Sequence, residues 1–222
     1  RAAIDVYEQL AADFGTATEY RVELANSYAA LASMLWEAGE FTRADGPARR
    51  ALGVFRSLAD ERPADTSFRR ELARCCNLLG LILGDLRRIE EAERAFRESI
   101  ALRSDLLTAF PQSPEHRIEL ARSQRNLAQL LMTVDRRDDA AALIERAKNV
   151  QSELVAEFPD NVSYGAELAH TKRWWEEVRT LGVRQAAEDT HRQLPSWRET
   201  VDQLPAVPWY REQLAHSYQG LY

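Results

Sequence analysis

A segment of 48 residues recurs along the chain, and that recurrence restricts the fold more than any other feature. It opens at Tyr20 as YRVELANSYAALASML, at Phe68 as FRRELARCCNLLGLIL and at His116 as HRIELARSQRNLAQLL. Further copies open at Tyr164 (YGAELAH) and Tyr210 (YREQLAHSY), so the successive spacings are 48, 48, 48 and 46 residues. A fixed period in this range marks a solenoid, in which each unit buries its apolar face by stacking on its neighbours. The period predicts one array over residues 1–222. Residues 1–19 are the second helix of a truncated unit, 20–67, 68–115 and 116–163 are repeats, 164–209 is a degenerate repeat, and 210–222 begin another unit.

Within 68–115, apolar residues recur at Leu72, Cys76, Leu79, Leu83 and Leu86, in the steps of three and four that make an amphipathic stripe. A second stripe follows the Arg87-Arg88 turn, through Ile89, Ala92, Phe96, Ile100, Leu107 and Phe110. Two helices of about 20 residues joined by a short turn predict an αα-hairpin. The boundaries agree. Asp65, Ser113 and Asn161 share a column and suit an N-cap, because a side-chain oxygen can accept an orphan backbone N–H. Pro114 stands at a first helical position, and Pro63, Pro111 and Pro159 close the preceding helices.

Small residues fall in two columns, Ala32, Gly80 and Ala128 in the first helices, and Ala44, Ala92, Ala140 and Ala186 in the second. Such columns imply close helix–helix approach, where a bulky side chain would overpack the contact. The set Leu79-Gly80, Leu83, Ala92 and Phe96 resembles the tetratricopeptide repeat family, with Ala92 and Phe96 in its A-x-x-x-F arrangement. The resemblance implies an all-α solenoid of antiparallel helix hairpins wound as a right-handed superhelix. The family's unit is about 34 residues long, so each helix here is about two turns longer. In the fourth unit, Trp174-Trp175-Glu176 puts Glu176 at the small position, the turn Leu181-Gly182-Val183 is shorter, and Pro195 falls mid-helix. A unit interrupted at each end reads as a piece of a longer protein.

A net charge of −6 argues against general nucleic-acid binding, which depends on neutralising phosphates. Only Cys75 and Cys76 are cysteine; adjacent on a helix they point about 100° apart and rarely bridge, which suits a reduced, cytoplasmic setting. The longest apolar run, Leu78 to Leu83, is too short to span a bilayer.

Nothing in the text points to catalysis. The chain lacks G-x-S-x-G, a Gly-rich phosphate loop and the kinase signatures H-R-D and D-F-G. His116 shares a column with Tyr20, Phe68 and Tyr164 and reads as a flat ring packed at a helix start. His191 has no H-E-x-x-H context, so neither metal nor cofactor is expected. Glu23, Glu71, Glu119 and Glu167 recur once per unit, as scaffold residues do.

The expected function is therefore a non-catalytic interaction scaffold, and the resemblance to the tetratricopeptide repeat implies that the first helices line a concave face that binds an extended peptide or another protein. The exposed side of their stripes carries Arg74, Asn77 and Leu81 in the second unit, and Arg122, Arg125, Gln129 and Met132 in the third. Trp36 lies on the outer face of its helix, and Arg173 takes part from the fourth unit. Arginine forks suit carboxylates and amides suit a peptide backbone, so an extended acidic segment or a free C-terminal carboxylate is the expected partner. The other reading pairs these arginines with Glu71, Glu119 and their neighbours on a solvated face. Self-association through the open array ends is a further expectation. The text Y-R-x-E-L-A-x-S also resembles arrays that follow planctomycete-type bacterial serine/threonine kinase domains, over Arg21–Leu35, Arg69–Leu83 and Arg117–Leu131. This suggests a bacterial signalling parent whose catalytic domain would lie outside the chain.

Overall fold

The structure, a computed structural model, describes residues 2–13, 17–176 and 178–180. Those residues form an all-α array. The helices are α1 (Ala2–Asp13), α2 (Thr18–Glu37), α3 (Phe41–Glu61), α4 (Thr66–Asp85), α5 (Ile89–Ala109), α6 (Pro114–Met132) and α7 (Arg137–Glu157). An eighth, α8, begins at residue 162. α2 packs on α3, α4 on α5 and α6 on α7 as antiparallel hairpins, and α3 on α4 and α5 on α6 join successive hairpins. α2 also touches α4, and α4 touches α6, so the first helices lie side by side. The chain divides into two compact units, residues 1–171 and 172–222. In the second, the Arg179 guanidinium lies 5.1 Å from the Trp175 ring centroid and pairs with Glu176 at 2.9 Å. The Pro195 break, the 181–183 turn, His191, Ala186 and the start of a further unit at Tyr210 fall outside the described residues.

Local chemistry sets the helix ends. Asp65 accepts from the Ser67 N–H at 3.0 Å, Ser113 from His116 at 3.3 Å, and Asn161 from Ser163 at 3.1 Å. Ala17 holds the same column in the first repeat and gives α2 no side-chain cap. The turns inside the hairpins are equally periodic. Gly39, Arg87 and Asp135 occupy one column with φ of 75°, 59° and 61°. The next residue's N–H reaches back to Leu35, Leu83 or Leu131 at 2.8, 2.9 and 3.0 Å. That is the Schellman closure, which needs a left-handed residue after the helix. Glycine takes that conformation freely; Arg87 bears a steric cost there.

The hairpins close where side chains are smallest. Ala32, Ala128, Ala44, Ala92 and Ala140 are fully buried. At Gly80 a Cβ would stand 2.7 Å from the ring carbons of Phe96, itself 2% exposed. The core of the first two repeats is continuous from Leu24 to Cys76 and includes Phe55, Leu58, Phe68 and Leu72.

Between hairpins one slot changes character along the array. Its three columns hold Ala51, Phe55 and Cys75, then Ser99, Arg103 and Ser123, then Ala147, Gln151 and Thr171, all buried. In the middle set Ser99 donates to the Ala73 carbonyl at 2.8 Å and lies 3.1 Å from the Ser123 hydroxyl, while Arg103 donates to Ser99 at 3.2 Å. In the last set both amide atoms of Gln151 and the Thr171 hydroxyl lack a partner.

Ion pairs cross the outer surface between units. Arg49 bridges Asp45 and Glu91, and Arg88 bridges the same two carboxylates; Arg136 joins Glu93 to Asp139. Arg21 grips both oxygens of Glu61, at 2.7 and 2.8 Å, and Arg117 does the same to Glu157. The second repeat has Ala109 in that carboxylate column, and the Nε of Arg69 is buried without a partner. The Arg21 and Ser57 hydrogen bonds hold the Glu61 carboxyl down at about 2, below its ordinary 4.5.

Two measurements check this packing. Gly80→Ala is expected to cost about 1–3 kcal/mol by overpacking against Phe96, overriding its better helix propensity. Gly84→Ala, whose Cβ meets only Leu130 at 3.4 Å, is expected to be neutral or stabilising. Equal melting shifts for the two by circular dichroism would contradict the assigned contact. The pH dependence has a definite sign. A carboxylate with a depressed folded pKa contributes stability above its unfolded value, and that contribution is lost as pH falls through the folded value. The Glu61 contribution is thus expected to fade between pH 4.5 and about 2, and Arg21→Ala to flatten the fall in melting temperature across that window.

Candidate interaction surface

α2, α4 and α6 place their C-terminal halves together around an open depression of 660 Å³. α2 contributes Trp36; α4 contributes Gly80, Leu81, Gly84 and Asp85; α6 contributes Arg125, Asn126, Gln129 and Leu130. Phe96 of α5 and Arg87 of the α4–α5 turn also line it. The depression follows from the sequence at two glycines. Gly80 lets Phe96 come up against the α4 backbone, and Gly84 stands in the column where the neighbouring repeats carry Trp36 and Met132. The Trp36 indole N–H donates to an Asp85 carboxylate oxygen at 2.7 Å, which ties α2 to α4 at the rim.

Of the residues expected to bind a partner, Trp36, Leu81, Arg125 and Gln129 line this depression. The first two and Arg125 are half-buried, and Gln129 is exposed. Met132 is half-buried and outside the lining. Asn77 accepts from Asn126 at 3.1 Å and from Ser123 at 3.2 Å, so its carbonyl is engaged in packing α4 on α6. Arg173 belongs to the second unit, where it is exposed.

Most of the arginines have carboxylate partners within the chain. Arg74 pairs with Glu71 at 2.8 Å. Arg122 bridges Glu119 and Glu167, both at 2.5 Å, and Arg125 reaches Glu167 at 3.2 Å. Glu119 also receives the buried Arg103 at 2.5 Å. Burial pushes the Glu119 carboxyl up, but Arg103 and Arg122 outweigh it and leave the group below its ordinary value. Burial lowers Arg103 despite the same ion pair. The chain Arg103–Glu119–Arg122–Glu167–Arg125 therefore runs from the α5–α6 interior to the edge of the depression.

Sequence reasoning named both polar and apolar residues of this face and missed Gly84, which makes room, and Arg87 and Phe96 as parts of its lining. The signal for Gly84 was present in the column Trp36–Gly84–Met132, which breaks at the middle repeat.

The described His116, Cys75 and Cys76 take packing positions. Among the described residues no group of three or more His, Cys, Asp or Glu could hold a metal ion. The Phe110 and His116 ring centroids are 5.7 Å apart, so His116 stacks at a helix start. Cys75 and Cys76 are both 1% exposed, and burial pushes the Cys75 thiol up to about 11 and Cys76 higher still. Neither carries a useful fraction of thiolate near neutrality.

Comparison with known protein families finds a match for one segment. Residues 72–114 match the tetratricopeptide repeat. The match covers the hairpin α4–α5. No curated protein matches the chain. Among solved structures, the nearly identical TPR-like repeats of a Podosopora anserina kinesin-light-chain-type protein are similar at 20% identity. That similarity covers 90% of this chain and 87% of the other, with a TM-score of 0.49. BtubC (BKLC) from P. vanneervenii is similar at 16% identity over 81% of this chain and 88% of its own, with a TM-score of 0.35.

Iodoacetamide at neutral pH is expected to leave both cysteines of the folded protein unmodified and to alkylate both after denaturation. Rapid labelling of the native chain, read by mass spectrometry, would refute the packing of α4.

Proposed function

We propose that the chain is a non-catalytic scaffold that holds an extended polypeptide segment of a protein partner on the face formed by α2, α4 and α6. The observation that supports this most directly is the depression itself, an open cleft built from three successive first helices and lined by both apolar and amide side chains. Its size is that of a small binding pocket, and its openness to solvent suits a chain lying across it. Gln129 is exposed at the rim, where its amide can pair with a peptide backbone.

An acidic segment or a C-terminal carboxylate suits the cationic side of this face. Arg125 is the arginine best placed to meet it. Its bond to Glu167 is single and long at 3.2 Å, and Glu167 keeps Arg122 as a second partner when Arg125 turns away. Arg122 and Arg74 carry shorter bonds to their own carboxylates and act on a partner only by exchanging them. A net charge of −6 argues against general nucleic-acid binding and for a protein partner. No helix among the described residues is long and apolar enough to cross a membrane. The recurring Y-R-x-E-L-A text favours a bacterial signalling parent, with a serine/threonine kinase domain as the specific alternative; H-R-D and D-F-G signatures in the same gene product would decide for the kinase.

The test is affinity capture from a lysate with the wild-type chain and with Arg125→Ala and Gln129→Ala together. Partners captured by the wild type are expected to weaken with the double variant and with rising salt. Identical capture by both proteins at all salt concentrations would remove this face from consideration.

A further inference from the structure

The middle repeat departs from both neighbours in one column, and a charged turn residue lies at the same depression. In that column Trp36 and Met132 flank Gly84, so the second repeat lacks the large apolar side chain that the first and third carry. The space is walled by Trp36, Leu81 and Leu130, with Phe96 beneath Gly80. The indole N–H of Trp36 is already satisfied by Asp85, which leaves the ring itself as the free recognition element. The turn residue that is Gly39 in the first repeat is Arg87, held at φ 59°. Arg87 is exposed beside the depression and forms no ion pair with any described residue. Asp135 holds the same left-handed position in the third repeat at φ 61°, so the conformation belongs to the turn and what the second repeat adds there is a positive charge.

Resting on the scaffold reading above, we propose that the Gly84 depression is a socket for one large apolar side chain (Leu, Met or an aromatic residue) of a partner polypeptide, with an Asp or Glu adjacent to it that pairs with Arg87. The array fills this column with its own apolar side chains on either side, so the vacant member takes a side chain of the same chemistry. The space of 660 Å³ holds one such side chain and the stretch of backbone that carries it. Charge complementarity fixes the neighbour. Arg125 and Arg122 share Glu167, whereas Arg87 has no carboxylate of its own among the described residues. The socket therefore reads two adjacent features, bulk at Gly84 and negative charge at Arg87. A buried anchor surrounded by a polar rim is the usual division of labour in a binding surface.

The experiment selects a random dodecapeptide phage library on the immobilised full chain, then measures the enriched peptides on three proteins by fluorescence polarisation. Gly84→Met fills the socket with the residue of the third repeat, and the ordinary 3.4 Å contact of its Cβ with Leu130 keeps the helix packing. Arg87→Gly restores the residue of the first repeat and relieves the left-handed strain. Circular dichroism melting verifies that both fold. Enriched peptides are expected to share a large apolar residue next to Asp or Glu. Affinity for Gly84→Met should fall by about tenfold or more, as for loss of an anchor. With Arg87→Gly, the preference for Asp or Glu over Asn or Gln should disappear. Peptides without that signature, or peptides that bind Gly84→Met as tightly as the wild type, overturn the socket. If those same peptides still lose affinity for Arg125→Ala with Gln129→Ala, the scaffold reading stands without it. Failure to enrich any peptide overturns the socket and leaves the lysate capture to judge the scaffold.

Discussion

The contact of the Phe96 ring with the backbone at Gly80 sets the distance between the helices of the central hairpin, and the other features of the array follow from that distance. Helices that approach through columns of alanine and glycine can bury Leu79, Leu83 and Phe96 without gaps. The same approach puts α2, α4 and α6 close enough to form one surface. Removing the side chain at position 80 thus does two things at once: it seats the aromatic ring and lets that ring, itself buried, back the floor of a cleft.

Charge follows a second rule. Most arginines of the three regular repeats reach a carboxylate, often in an adjacent repeat, as Arg49 reaches Glu91 and Arg136 reaches Glu93. Each surface pair contributes little by itself. Their common effect is to fix the angle between repeats while leaving few charges uncommitted. Among the described residues Arg62, Arg69, Arg87, Arg94 and Arg146 show no ion pair; of these, Arg87 is the one at the rim of the cleft, and Arg69 lies opposite Ala109.

The 48-residue period made the hairpins, the turn at Arg87 and the N-caps at Asp65, Ser113 and Asn161 legible in the sequence, because each depends on neighbours close along the chain. The environment of Trp36 was not. A helical wheel puts it on the outer face, but its partner Asp85 lies 49 positions on, in the adjacent repeat, and the ring ends half-buried. Arg122 and Arg125 read as groove cations for the same reason: Glu167 comes to them from another repeat. A column alignment records which residue stands where, and it gives the contact only once the stacking is known.

The slot between hairpins bears on how such a chain avoids confusing its own parts. Repeats of similar text can dock on the wrong neighbour during folding, a characteristic failure of repeat proteins. Here the facing surfaces are not interchangeable. Pressing α3 against α6 would set the ring of Phe55 on Ser123 and strand the Arg103 guanidinium without Glu119. Pressing α5 against α4 of another copy would bury Arg103 against Cys75. An apolar layer, a charged layer and an amide layer in succession act as addresses, so each hairpin recognises only the neighbour that follows it in the chain.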